Sequence, residues 1–113
     1  GVSLNMGVVI DSCNGVRIEI GNDVLIGPYC VLRSADHLFA DPSKPIKAQG
    51  HAPGKIVIED DCWLGSHVVV TSNVTIGKGS VIGAHSVVTH DIPPYSIAMG
   101  VPAVVKKSRI PQP

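Results

Sequence analysis

The sequence predicts an all-β chain wound into stacked triangular coils. Three observations predict it: a hydrophobic repeat of six residues, a glycine that travels with the repeat, and a composition suited to strands and turns. Stepping by six from Val2 gives Val2, Val8, Asn14, Ile20, Ile26 and Leu32; stepping by six from Ile58 gives Ile58, Leu64, Val70, Ile76, Ile82 and Val88. Eleven of these twelve are Val, Ile or Leu, types that fill 34 of the 113 positions, so a random placement would supply three or four. Glycine follows the repeat position at 15, 21, 27, 65, 77 and 83, half of the twelve glycines, and a corner is expected there because a residue without Cβ suits tight or left-handed backbone. Gly and Pro are abundant, at 12 and 9 residues, and aromatic residues make up only 4%. Strands and turns are favoured over helices by that mix.

Four residues after each repeat position stand small or apolar residues such as Met6, Ser12, Val24, Cys30, Cys62 and Ser80, with Asp36 the exception. Two inward positions in every six fit a short strand plus a corner, and three such units close a coil of eighteen residues. Coils stack by parallel pairing at about 4.8 Å. The expected coils cover residues 2–19, 20–37, 58–75 and 76–93, in one domain of residues 1–107 with a C-terminal cap, followed by a tail at 108–113. A β-sandwich would instead alternate with a period of two. Residues 38–57 leave the repeat undisturbed on either side and contain Pro42, Pro45, Gly50, Pro53 and Gly54. They are expected to form an extruded loop without continuous helix or sheet, of the kind that covers a site.

Nine basic residues balance nine acidic ones, so no long-range field draws the chain to nucleic acid or anionic lipid, and neither partner is expected. No run of eighteen apolar residues and no charged-then-apolar leader occurs, so neither a membrane span nor a signal peptide is read and a cytoplasmic location is expected. Cys13, Cys30 and Cys62 are odd in number and lack paired metal-type spacing, which argues against a disulfide framework and a thiolate zinc site. Cys30 and Cys62 fall on inward positions and read as small core residues. Asp36 breaks the inward rule and His37 follows it at the mouth of the interruption; a local rule broken in an otherwise consistent repeat marks a candidate site.

The segments "IGNDVLIGPYCVL" and "IEDDCWLGSHVVVTSNVTIGKGSVIGAHSVVTHDIPPYSIAMGVPAVV" resemble the hexapeptide-repeat acyltransferases over about residues 5–107, most closely the galactoside, maltose and lipopolysaccharide-sugar O-acetyltransferases. The resemblance implies a left-handed parallel β-helix of about four triangular coils. It also implies a homotrimer that moves an acetyl group from acetyl-CoA to a hydroxyl, most often of a sugar, with no resident metal. His37 matches the family's general base, and an imidazole with an ordinary pKa of about 6.5 can take a proton from an attacking hydroxyl at neutral pH. Asp36 adjoins it, but neighbouring side chains on a strand point to opposite faces, so Asp36 is not expected to orient the ring. Trp63, Gly65 and Ser66 match the acetyl pocket, where a backbone N–H meets the developing oxyanion; Trp63 could equally cap a coil. Asn5 matches an acceptor-binding asparagine. Ser66, Ala84, Thr89, His90 and Lys107 match the coenzyme A groove between subunits, although Lys106, Lys107 and Arg109 also read as a solvated basic tail. His90 stands where the family often has Lys, and Val104 where the sugar enzymes have Arg.

Other readings remain open: an N-acetyltransferase acting on an amine or antibiotic, a non-catalytic scaffold, and a zinc-dependent enzyme like the carbonic anhydrases of this fold. The last would use His85 and His90, five apart, with His51 as the nearest third ligand. His67 and His85, eighteen apart, are expected to stack on an outer face with Tyr29 one coil earlier. The chain begins inside its first coil, whereas the enzymes it resembles carry more at the N-terminus, including acceptor-binding groups.

Overall fold

A computed structural model describes residues 1–111. Among them the chain makes short strands and two 3-10 turns and no α-helix, so no helix is long and apolar enough to cross a membrane. It visits three parallel sheets in rotation. The first pass runs through β1 (Ser3–Leu4), β2 (Val9–Asp11) and β3 (Ile18–Ile20), and the second through β4 (Leu25–Ile26) and β5 (Val31–Arg33). The chain then leaves as a ribbon of β6 (Ala35–His37) and β7 (His51–Pro53) and returns through β8 (Ile56–Ile58). The third pass is β9 (Trp63–Leu64), β10 (Val69–Val70) and β11 (Thr75–Ile76); the fourth is β12 (Val81–Ile82), β13 (Val87–Val88) and a bridge from Ile92 to Ile76. Finally β14 (Ser96–Gly100) adds to β12, and β15 (Ala103–Ser108) folds back antiparallel on β14. The first sheet is thus β1-β4-β9-β12-β14-β15, the second β2-β5-β10-β13 and the third β3-β8-β11.

Register identifies the inward row. Ile20, Ile26 and Leu32 align with Ile58, Leu64 and Val70, and these with Ile76, Ile82 and Val88. All of them from Ile26 onward are buried, and each fully buried Ile or Leu contributes about 1.5–3 kcal/mol. The first pass departs from the sequence expectation. Leu4 pairs with Ile26 and Ile10 with Leu32, so by register Leu4 and Ile10 stand in the row where Val2, Val8 and Asn14 were expected, although on this first pass both stay exposed and it is Val8, next to the Cys30 row, that packs against the core. The cause is a 3-10 turn at Cys13–Gly15, which adds four residues between the second and third sheets. Counting back by six from Ile20 therefore lands in the turn. Met6, expected inside, is 71% exposed, and Ser12 is exposed too.

Apart from Gly15, which is left-handed with nothing close by, the recurrent glycines serve a different purpose from the one expected. Gly27, Gly65 and Gly77 do not have positive φ; the left-handed residues stand two positions later, at Tyr29, His67 and Gly79. Instead these glycines let successive passes touch: a Cβ at Gly27 would lie 2.8 Å from the Gly65 carbonyl carbon, one at Gly65 2.8 Å from Ala84 N, and one at Gly77 2.5 Å from Pro94 N. The left-handed corner residues are mostly Asp, Asn, His and Tyr, and the first three types tolerate this backbone better than most.

The excursion spans residues 35–54 rather than 38–57, and it is ordered at its base. Ala35 pairs with Pro53, Asp36 with Ala52 and His37 with His51. Ile56 and Ile58, assigned to or beside the loop from sequence, are buried in the third sheet. The expected tail also begins later than residue 108: Ser108 ends β15, and the Arg109 guanidinium reaches Asp61 Oδ2 at 3.1 Å and the Gly79 carbonyl at 2.9 Å. Residues 112–113 of that tail lie outside the described residues.

Cys30 and Cys62 are buried as expected, and their thiols donate to the carbonyls of Gly65 and Gly77 at 3.0 and 3.3 Å. Desolvation by burial raises the pKa of both thiols above that of an ordinary cysteine. The unfolded chain therefore gives up these protons first as pH rises past about 9, and stability falls there. A melting temperature that drops above about pH 9 is expected, with a shallower drop in the Cys30→Ala, Cys62→Ala double variant. Equal slopes for the two proteins would contradict the assignment.

Candidate active site

His37 sits at the base of the ribbon, directly after the second sheet hands the chain outward. Its side chain is exposed, and its ring packs on His51 across the ribbon with centroids 4.6 Å apart and planes tilted by 38°. Asp36 is exposed rather than inward because the ribbon, not the coil, holds its backbone; Ile56 fills the inward place instead. Its Oδ2 accepts a 2.8 Å hydrogen bond from the Ser72 hydroxyl at the next pass of the same corner. Asp36 and His37 thus engage different partners, as strand alternation requires. Ser72 carries no motif in the sequence; finding it requires knowing where the excursion returns.

Trp63, Gly65 and Ser66 lie on another side. Trp63 is mid-sheet, between Leu25 and Val81, with its side chain outward and 53% exposed, so it caps nothing in this chain. Leu64, beside it, points into the core, and the corner follows at Gly65-Ser66. The Gly65 N–H donates to the Ile82 carbonyl at 2.9 Å and is committed to the scaffold. Among the described residues the Ser66 N–H has no such partner, while the Ser66 carbonyl accepts from His85 N at 2.9 Å. Ala84, small and exposed, stands beside it on the next pass, its backbone close to Gly65. Along the same corner, Tyr29, His67 and His85 stack with centroids 5.3 and 4.8 Å apart, as the eighteen-residue spacing predicts.

The remaining candidates separate. Asn5 holds the corner position of Gly27 and Gly65 on the first pass, and its side-chain amide donates to the Ile26 carbonyl at 3.2 Å, a structural bond. Thr89 and His90 lie at the corner after the second sheet, where Thr89 Oγ1 meets His90 Nδ1 at 2.9 Å. Lys107 stands on β15 opposite Ile97. For the zinc reading, His85 stacks on His67, His90 meets Thr89 and His51 meets His37; among the described residues no three metal-ligating side chains come together in one chain. A hollow on the third sheet is lined by Glu19, Val57, Glu59, Asp60 and Lys78, away from all of these. Its Glu59 and Asp60 carboxylates already accept from backbone N–H groups of Lys78 and Asn22 at 3.0 and 2.8 Å.

Residues 55–90 match the family model described as bacterial transferase hexapeptide (six repeats). A protein of Mycobacterium tuberculosis named as a probable acetyltransferase is 46% identical over 92 residues, covering 81% of this chain and 31% of that protein. The galactoside O-acetyltransferase of Escherichia coli is 42% identical over 108 residues, covering 91% of this chain and 48% of the enzyme. Among solved structures, a hexapeptide-repeat acetyltransferase of Vibrio cholerae complexed with acetyl coenzyme A superposes with a TM-score of 0.87 at 39% identity, covering 97% of this chain and 58% of that one. The chain therefore spans less than two thirds of each of these relatives.

Proposed function

From a chain that belongs to the hexapeptide-repeat acyltransferase family, we propose an acetyltransferase that moves the acetyl group of acetyl-CoA onto a hydroxyl, most simply of a sugar, in the cytoplasm. The observation that carries this is the likeness, over nearly the whole chain, to an acetyltransferase holding acetyl coenzyme A. We further propose that the scaffold is a left-handed β-helix and the active unit a homotrimer. Two features support the trimer. His37 and the Trp63–Ser66 corner leave different sides of one chain, so a site using both needs two chains. The outer faces of the first two sheets also carry apolar columns, Leu25-Trp63-Val81-Ile97 and Val9-Val31-Val69-Val87, while the third bears Glu19 and Thr75. Packing the first face of one chain on the second face of the next is a heterologous contact that closes into a ring.

In this arrangement His37 removes the proton of the acceptor hydroxyl as its oxygen attacks the thioester carbonyl carbon. The carbon–oxygen bond forms, and the oxyanion meets the Ser66 N–H of the neighbouring chain, a donor already in place. The carbon–sulfur bond then breaks, and the coenzyme A thiolate takes the proton from the imidazolium. Trp63 walls the acetyl group, Ser66 and Ala84 line the pantetheine track, and Thr89, His90 and Lys107 lie towards the nucleotide; Asn5 would face the acceptor through what its bond to Ile26 leaves free. The test is release of free coenzyme A thiol from acetyl-CoA with a panel of sugars and amines, corrected for the protein's own cysteines, on material sized by sedimentation. Release that depends on a hydroxyl acceptor in a trimer is the expected result. Release with amines alone would shift the chemistry to N-acetylation, and a folded monomer that binds no coenzyme A would defeat both.

A further inference from the structure

Nothing in the repeat requires Ser72 or His51, yet both hold the strand that carries His37. On one face of β6 the Asp36 carboxylate is tied to the Ser72 hydroxyl, 36 residues away on the body of the coil. On the other face the His37 ring rests on His51, its direct partner in β7. Just beyond, the Leu38 N–H donates to the Gly50 carbonyl at 2.9 Å, and at the root the Gly54 N–H donates to the Ser34 carbonyl at 2.8 Å. The ribbon is therefore closed on itself by backbone bonds. Within the described residues, the Asp36–Ser72 bond is the side-chain hydrogen bond that joins its strands to the next pass.

We propose that Ser72 is a positioning residue for the acetyl transfer: through Asp36 it fixes the pitch of the ribbon, and with His51 as a backstop it fixes the direction in which the His37 imidazole projects. This rests on the acetyltransferase reading above. A ribbon of three-residue strands joined to the coil only at its root can pivot, and a pivot moves the imidazole relative to the acetyl group held on the neighbouring chain. Small misplacements of a reacting group cost much in rate and little in substrate binding. Asp36, being one residue from His37, transmits the hold without touching substrate.

The experiment compares Ser72→Ala and Ser72→Thr with the parent chain in two measurements. In steady-state kinetics, Ser72→Ala is expected to lower kcat by about 10- to 100-fold with KM for acetyl-CoA nearly unchanged, and Ser72→Thr, which keeps the hydroxyl, to recover most of it. In native-state hydrogen exchange, the Leu38 amide is expected to exchange faster in Ser72→Ala alone, while amides of β9 and β12 stay as they were. Unchanged exchange at Leu38 overturns the clamp whether or not the chain transfers acetyl groups. Faster exchange with an unchanged kcat overturns its role in the reaction. If the parent chain shows no transfer to any acceptor, the reaction proposed above fails while the exchange measurement still decides the clamp.

Discussion

Replacing His37 with alanine is expected to lower acceptor-dependent acetyl transfer by about 10²- to 10⁴-fold, the usual worth of a positioned general base, with the fold and coenzyme A binding intact. The side chain is exposed and supports no core contact, so a loss of this size could not come from unfolding. The same variant tests where the site lies. A second variant expected to be inactive, Ala84→Trp, sets a large side chain beside Ser66 and leaves His37 untouched. If each site takes its base from one chain and its groove from the next, unfolding and co-refolding the two inactive proteins should restore part of the activity. An unaltered base of one chain would then face an unaltered groove of the other. No recovery from a mixture shown to exchange subunits would mean a site within one chain, against the separation of the two halves seen in the sheet topology.

Gly77→Ala is expected to be strongly destabilising although it adds a single methyl group. Its Cβ would stand 2.5 Å from Pro94 N and 2.8 Å from both the Ile92 oxygen and the Pro93 carbonyl carbon, all backbone atoms that cannot swing aside. Overpacking of this kind costs about 2–3 kcal/mol, which for a domain of this size is on the order of 10 °C in melting temperature. Gly15→Ala is the control. It also adds a methyl group, but nothing lies within 4 Å and only its left-handed φ of 74° opposes the change. A cost of about 1 kcal/mol is expected there. Thermal melts showing equal losses at the two positions would mean that contact between passes is not what selects glycine.

The comparison of Gly77 with Gly15 also shows what could be read from sequence and what could not. The repeat marked glycine correctly but could not say whether backbone conformation or close approach demanded it, since both favour the same residue. The inward row from Ile20 to Leu32 and from Ile58 to Val88 was legible because each of these stretches obeys one period. Leu4 and Ile10 were missed because a short turn shifts the phase without leaving a hydrophobic signal of its own. The ribbon was displaced by three residues for a related reason: Ala35, Asp36 and His37 continue the six-residue count by chance, and only their pairing with residues 51–53 removes them from the coil. The place of His37 at the base of the excursion was legible from the interrupted repeat, and the column of Tyr29, His67 and His85 from spacing alone. Ser72 was not, because a hydrogen bond spanning 36 residues has no local trace.

Departures from the six-residue count fall on one edge of the molecule. Going from the first sheet to the second, Leu4 to Ile10, Ile26 to Leu32, Leu64 to Val70 and Ile82 to Val88 are always six apart. From the third sheet back to the first, Ile20 to Ile26, Ile58 to Leu64, Ile76 to Ile82 and Ile92 to Ala98 are six apart as well. Between the second and third sheets the step is ten at Ile10 to Ile20, twenty-six at Leu32 to Ile58, six at Val70 to Ile76 and four at Val88 to Ile92. That edge is where a gene for such a chain can gain or lose codons without shifting any strand elsewhere. New sequence grafted between Ser72 and Asn73 would emerge beside the ribbon that carries His37, so the scaffold can vary what surrounds that imidazole while the rest of the winding stays the same.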